Sequence, residues 1–492
     1  VSRGVVVIGA GMGGLAAAID LASAGFEVTV LERGPRPGGK ANIAEHDGVE
    51  FDTGPSVMTL PDAFDAVFRR AGTSLRDEVT LTLPEPASRY HYPDGTVVDV
   101  FSDHARTVDA VRDTLGGLAA RDIDAFLRYS QQIWDAAAPS FVYGDAPTPG
   151  RVLSLAPKLV TDLPRIDALR TMRAGIAKHV RSRHLRWLLE RYATYNGSDP
   201  ARAPATLNCI AHVELGLGVH GVEGGIYALV RALVRVAERV GVTLHCDAAV
   251  TGLDTSGGRV VGVRTATQTF GCDAVVANAD VAHVRDALLP SVHRRALDHK
   301  TTPSMSGWVG VLAARRRADR PGHAVLFPRQ YDEEFRDIFD RERVPVEPTV
   351  YLCAQEKCHE RAGWTDHEPL FVMANAPPEP VAGATPTETW EALEQVVLGR
   401  LRDADLIDAD DQVVWRRSPA GLAASFPGTR GSLYGAASND LFASFRRPTN
   451  RLKALPGLYL ASGSAHPGGG LPLCCLSGQA AARAVVADLR AW

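Results

Sequence analysis

Val5-Val6-Val7-Ile8 is an unbroken β-branched run, the pattern of a strand covered on both faces. Gly9-Ala10-Gly11-Met12-Gly13-Gly14 interrupts it, residues 15–24 read as a helix that Gly25 ends, and residues 27–31 predict a second strand. The same alternation of strand and helix returns far along the chain. Ile226, Leu229, Val230, Leu233, Val234 and Ala237 recur at helical spacing directly after Gly224-Gly225, followed by strands at 243–245, 260–263 and 274–277. A third piece holds a strand ending at Gly463 and a helix over 476–489. The intervening stretches lack this pattern. The first is largely helical, and the second mixes helices with strands around 349–352 and 370–373. The expected architecture is α/β. A discontinuous Rossmann-like domain comprises residues 1–90, 221–300 and 451–492, and a mixed α+β domain comprises residues 91–220 and 301–450.

The first forty residues carry chemistry. Gly9 permits a tight turn, Gly11 lets the backbone approach a pyrophosphate, and Gly14 allows close helix–strand packing, with Gly13 counted beside them as cofactor-binding. The helix N-terminus that follows offers N–H groups and a positive dipole end to phosphate. Glu32 ends the second strand about twenty residues on, where a carboxylate accepts hydrogen bonds from ribose hydroxyls and disfavours a 2′-phosphate. Arg33-Gly34-Pro35-Arg36-Pro37-Gly38-Gly39-Lys40 runs on from the acid, and Phe51-Asp52-Thr53-Gly54-Pro55-Ser56 follows. Both segments resemble the extension found in the glutathione-reductase-like superfamily, which implies FAD as cofactor. Gly38 and Gly39 would let backbone pass close to the ligand, and Arg36 or Lys40 would neutralise phosphate charge. The same resemblance puts Val250 near the adenine, Asn278 at the turn returning to the cofactor, and Gly463 at the ribitol and pyrophosphate. It also counts Gly470, Leu471 and Pro472 among the cofactor-binding residues and puts the N-terminus of the helix over 476–489 beside the isoalloxazine.

Composition narrows the class further. The chain of 492 residues is 45% hydrophobic and 22% charged with a net charge of −4, which suits a soluble globular protein and argues against nucleic acid as a partner. Seven cysteines without framework spacing point to a reducing compartment. Cys353 and Cys358, five apart, fit no common zinc pair, so no metal is expected. The glycine-rich opening reads as structure, not as a secretory signal, and no run of 18 or more residues is uniformly apolar. Leu163, Ile166, Leu169, Met172, Ile176 and Val180 fall three or four apart, interleaved with Arg165, Arg170, Arg173, Lys178, Arg181 and Arg183. Such a helix either rests its apolar side on the core or lies in an anionic membrane surface. The latter would make the chain cytoplasmic and peripherally attached to the inner membrane.

Gly221-Val222-Glu223-Gly224-Gly225 and His466-Pro467-Gly468-Gly469-Gly470, added to the nucleotide segments, extend a resemblance over nearly the whole chain. It is to the bacterial phytoene-desaturase family, FAD enzymes that dehydrogenate carotenoids. Arg191–Pro200 with Ala203-Pro204-Ala205, and Met373-Ala374-Asn375-Ala376-Pro377-Pro378, are most similar to its 1-hydroxycarotenoid 3,4-desaturases. Gly468–Cys475 departs from the plainer small-residue ending of that family. The resemblance implies removal of two hydrogens from a C–C bond adjoining the polyene of a long apolar carotenoid met at a membrane surface. Oxygen or a quinone would then reoxidise the flavin. A hydroxylated substrate end needs a polar partner inside an apolar tunnel, because an unpaired buried hydroxyl costs about 1–3 kcal/mol. Tyr195, Asn196, His212 and Glu214 are candidates, each equally readable as a satisfied structural group. His466 either takes a proton near the flavin or shapes its loop. Phytoene desaturation, carotenoid isomerisation and amine oxidation are rival activities of the same fold. The low aromatic content, 7%, and the lack of a Trp or Tyr pair near the C-terminal segment weigh against an amine oxidase's aromatic cage. A flavin-free escort of prenylated proteins would not need the complete phosphate site.

Overall fold

The computed structural model describes residues 3–146, 162, 165–298, 301–440 and 443–490, without the side chains of residues 444 and 445. The nucleotide-type domain is a five-stranded parallel sheet built on β1 (Gly4–Ile8), α1 (Met12–Ser23) and β2 (Glu27–Leu31). Later segments add α2 (Ile226–Arg239), β3 (Thr243–His245), β4 (Ala274–Ala277), β5 (Leu458–Leu460) and α3 (Leu471–Arg490). The strand order is β5-β4-β1-β2-β3. Val5 and Val7 pack into the layer formed by α1, α2 and α3, while Val6 and Ile8 pack against a three-stranded antiparallel sheet (Val250–Ser256, Arg259–Thr265, Thr269–Gly271). Both faces of β1 are therefore buried, which is why its sequence does not alternate.

Helices α1 and α3 cross with their backbones touching: a Cβ added at Gly478 would stand 2.1 Å from the Gly13 carbonyl oxygen. Beside this crossing, Asp20 meets Arg70 at 2.7 Å, and Arg70 also reaches Gln479. Burial pushes the Asp20 carboxyl up to about 6, outweighing Arg70, whose side chain is 42% exposed and screened by solvent. A raised carboxyl pKa favours the folded state below the unfolded value near pH 4, and that contribution is lost as pH rises through about 6. Asp20→Asn is expected to flatten the fall in thermal midpoint between those pH values. Identical slopes in both proteins would remove Asp20 as the cause.

The second domain centres on a seven-stranded sheet in the order Gln412–Arg417, Ser306–Arg315, His367–Ala376, Val350–Ala354, His323–Leu326, Ser88–His91, Val97–Val100. All its pairings are antiparallel except that of His323–Leu326 with Ser88–His91. Trp308, Leu312 and Ala314 face the helix Thr387–Asp403. Val309 and Val311, on the opposite face, pack with Phe51 of the nucleotide domain. Helices His104–Leu115, Gly117–Ala137, Met172–His179 and Arg183–Glu190 form a further lobe over the Ser88–Val100 end of the sheet. Strand Ser88–His91 belongs to this second sheet, so it straddles the boundary expected at residue 90.

The basic amphipathic helix expected from Leu163 to Val180 is not continuous. Leu163 lies outside the described residues. Asp167 adopts a φ of +49°, and a new helix starts at Met172, capped by the Thr171 hydroxyl. Met172, Ile176 and Val180 are buried in the lobe, whereas Leu169 is 79% exposed. Arg170 pairs with Asp167, Arg173 with Glu190 and Asp332, and Arg181 with Asp122, so these cations serve folding contacts. Among the described residues no helix is long and apolar enough to cross a membrane.

Candidate functional site

Three chain segments meet at the C-terminal edge of the parallel sheet. Gly9, at φ +92°, turns the chain out of β1 and donates its N–H to the Leu31 carbonyl at 2.8 Å. A Cβ on Gly14 would lie 2.0 Å from the Gly9 carbonyl oxygen, so α1 rests directly on the turn that precedes it. Asn278, just past β4, sits beneath this loop. Its side-chain oxygen lies 2.6 Å from where a Gly11 Cβ would be, and its amide nitrogen bonds the Ala461 carbonyl beyond β5. One amide thus fastens the N-terminal, central and C-terminal pieces together. The Gly38-Gly39 turn comes alongside: Gly38 N donates to the Ala10 carbonyl at 2.8 Å, and Gly39 and Gly11 stand backbone to backbone. Glu32 accepts from the N–H groups of Ala10 and Gly34 at 2.7 Å each, and Ala248 N donates to the Glu32 carbonyl, bringing the Val250 strand to the same corner.

Other residues expected at the cofactor have tasks that hold the domains together. Asp52 is buried and accepts from the Ile226 and Tyr227 N–H groups at 2.7 and 3.2 Å, capping α2 from a distance, with Arg361 3.2 Å away. Thr53 bonds the Asn42 carbonyl, Gly54 packs on the Lys40 carbonyl, and Pro55 leads to Ser56, whose hydroxyl meets Tyr351 Oη at 2.8 Å. Lys40 Nζ donates to the carbonyls of Ser432 and Leu433 at 2.8 and 2.9 Å, and burial lowers its pKa. Arg33 bonds the Ser425 carbonyl.

At the C-terminal piece, α3 begins at Leu471 and Pro472, five residues before the helix expected from the sequence. Proline suits the first turn of a helix, where its missing N–H removes no bond. Gly470, at φ +103°, immediately precedes it, and a Cβ there would meet nothing within 4 Å. The loop before it is held from behind. A Cβ on Gly469 would meet the Tyr434 backbone at 2.6 Å, and Arg447 donates to the carbonyl of Gly463 (3.2 Å), the carbonyl of Ala436 (2.6 Å) and Asn196 Oδ1 (3.0 Å). Burial lowers the Arg447 pKa to about 10. His466 is buried with Nε2 3.0 Å from the Gly144 carbonyl, a contact that fastens the loop to the helical lobe.

The substrate candidates separate. Tyr195 Oη donates to Glu214 Oε2 and Tyr192 Oη to Oε1, so Tyr195 and Glu214 meet. Asn196 spends both ends of its amide on Ser438 and Arg447. His212 lies two residues from Glu214 on the helix Cys209–Leu215, so its ring leaves on the opposite side. Arg191, Tyr351, Arg361, Tyr434 and Arg447 carry no signal of their own in the sequence, because most of their partners lie tens to hundreds of residues away. Cys353 and Cys358 have His323 for company, with ligand-type atoms within 4.8 Å, and His359 Nε2 stands 3.9 Å from Cys353 Sγ.

The glycine turn at a helix start, the ribose-type acid, the open Gly470 face and the N-terminus of α3 match what a dinucleotide flavin requires. Together with the parallel sheet they define an FAD-binding oxidoreductase. The chain belongs to the flavin containing amine oxidoreductase family, whose model matches residues 12–486. It is 36% identical over 495 aligned residues to hydroxyneurosporene desaturase of Rhodobacter capsulatus, covering 98% of each chain. It is 30% identical to 1-hydroxycarotenoid 3,4-desaturase of Flavobacterium sp., again covering 98% of each. Among solved structures, the fatty acid isomerase of P. acnes that produces CLA superposes with a TM-score of 0.62 at 15% identity, covering 98% of each chain. Cyclohexylamine oxidase from Brevibacterium oxydans superposes with 0.59 at 14%, covering 100% of each. These structural likenesses concern the fold.

Proposed function

We propose that the chain is an FAD-dependent desaturase that removes two hydrogens from the 3,4 bond of a 1-hydroxycarotenoid. The observation that carries this reading is full-length identity with hydroxyneurosporene desaturases, 36% and 35% in two organisms. Bound FAD supplies the hydride acceptor. The protein's own part is placement and exclusion of water. Arg447 ties Asn196 to the Gly463 loop, and Lys40 ties the Gly38-Gly39 turn to Ser432 and Leu433, so segments from around the two sheets are held together at the cofactor segments. A C–H bond next to a polyene yields its hydride with the positive charge delocalised, so the adjacent proton needs only a weak acceptor. In this reading His466 fastens the loop through Gly144 and is not required as a base. The carotenoid is drawn from the surface of the inner membrane, where a quinone or oxygen serves as final electron acceptor.

A second reading has a specific basis: 4,4'-diapolycopene oxygenase of Methylomonas sp. is 32% identical over 99% of the chain. Incubation of the holoenzyme in liposomes with phytoene, neurosporene and their 1-hydroxy derivatives separates the two. The expected products have lost two hydrogens, absorb at longer wavelength and arise from the hydroxylated compounds alone. Conversion of phytoene would refute the 3,4 assignment, and a gain of oxygen would favour the oxygenase.

A further inference from the structure

Deep in the helical lobe, Arg191 is a buried cation among tyrosines. Its guanidinium carbon stands 5.3, 5.6 and 5.7 Å from the ring centres of Tyr195, Tyr351 and Tyr90. Only Nη1 has a hydrogen bond among the described residues, to Tyr90 Oη at 3.2 Å. Arginine carries five donors, and burying one without compensation is costly. Nε and Nη2 have no hydrogen-bond partner among the described residues, and the residue keeps 7% of its surface exposed. Tyr195 and Tyr351 are likewise only partly covered, while Tyr90, Tyr192, Ser56 and His323 around them are buried. Arg191, Tyr195 and Tyr351 thus form one cluster of polar side chains that is not wholly covered.

That cluster adjoins the segments expected to hold the flavin. Tyr351 Oη bonds Ser56, four residues past Asp52, and Tyr195 precedes Asn196, which Arg447 links to Gly463. In a 1-hydroxycarotenoid 3,4-desaturation the oxygen sits two carbons from the nearer reacting carbon. A protein that recognises it must therefore do so beside the hydride acceptor, not at the far end of the polyene. The arginine–tyrosine cluster is joined to the segments expected around that acceptor through Ser56 and, by way of Asn196 and Arg447, Gly463.

We propose that Arg191 and Tyr195 dock the oxygen on the terminal carbon of the substrate, an inference that rests on the desaturase reading above. The free N–H groups of Arg191 donate to that oxygen. Tyr195 gives its own hydrogen to Glu214 and so presents an oxygen lone pair that accepts the hydroxyl hydrogen. An alcohol uses both contacts, a methyl ether only the first, and the parent hydrocarbon neither.

The test compares wild-type holoenzyme, Arg191→Met and Tyr195→Phe on hydroxyneurosporene, its methyl ether and neurosporene in liposomes. Turnover and binding are both read, the latter by quenching of flavin fluorescence, with flavin content and thermal midpoint recorded for each variant. Arg191→Met is expected to lower the preference for the alcohol over the hydrocarbon by about 10- to 100-fold, as loss of a charged donor does. Tyr195→Phe is expected to lower the preference for the alcohol over its ether by about tenfold. Unchanged ratios, or equal losses on all three compounds, overturn the docking site. Should Arg191→Met fail to fold, Tyr195→Phe, which removes one oxygen atom, decides alone. Wild-type protein that prefers the alcohol in binding but desaturates none of the three overturns the desaturase reading and leaves the ratios in binding to judge the site.

Discussion

Gly14→Ala is expected to yield protein without its yellow colour. The new methyl group would sit 2.0 Å from the Gly9 carbonyl oxygen and 3.1 Å from Asn278 Cβ, and each of these belongs to the phosphate turn or its support. Gly14 lies inside α1, so the helix cannot yield without breaking its own first turn, and the loop must move instead. Loops that bind phosphate through backbone N–H groups lose affinity when those groups are displaced, so bound flavin should fall at least about tenfold. Gly4→Ala is the control, because a Cβ there meets nothing within 4 Å. The check is the ratio of visible flavin absorbance to protein absorbance after purification. Full flavin content in Gly14→Ala would show that the turn is not the cofactor's cradle.

The largest effect on stability is expected far from that cradle. Arg320 and Glu368 form an ion pair in which each side chain is 1% exposed. Arg320 also donates to the carbonyls of Arg315 and Leu406, whereas Glu368 Oε2 has no partner among the described residues. Glu368→Ala would leave a guanidinium in the interior with only two carbonyls, a loss of about 3–5 kcal/mol. The double replacement Arg320→Met with Glu368→Leu removes both charges and should cost far less than the single one, since two desolvated ions are exchanged for apolar packing. Denaturant unfolding of the three proteins measures this. A double variant as unstable as Glu368→Ala would mean that shape, and not charge, dominates at this position.

The strands and helices of the nucleotide domain were legible because their signals are local. β1 is apolar throughout, the glycines break it, and α2 repeats its apolar positions at helical spacing after Gly224-Gly225. The single continuous helix expected over 163–180 misled because its spacing is also local, and Asp167 ends the first piece by a left-handed turn that spacing does not encode. Asp52 illustrates a different limit. A motif marks it as important, but its carboxylate caps α2, some 170 residues away, an assignment available only once the helix start is brought against it. Arg191 lay within a segment whose resemblance was plain, and its chemistry still could not be read, because Tyr90 and Tyr351 reach it from separate strands of the second sheet.

By itself the sequence determined the cofactor class and the local strands and helices of the parallel sheet, since turns, periodicity and a carboxylate at strand's end are properties of neighbouring residues. The tertiary structure alone decided which polar groups face one another in the interior. Burial there is set by whichever distant segment arrives: three tyrosines close around Arg191 and leave it one side-chain hydrogen bond among the described residues.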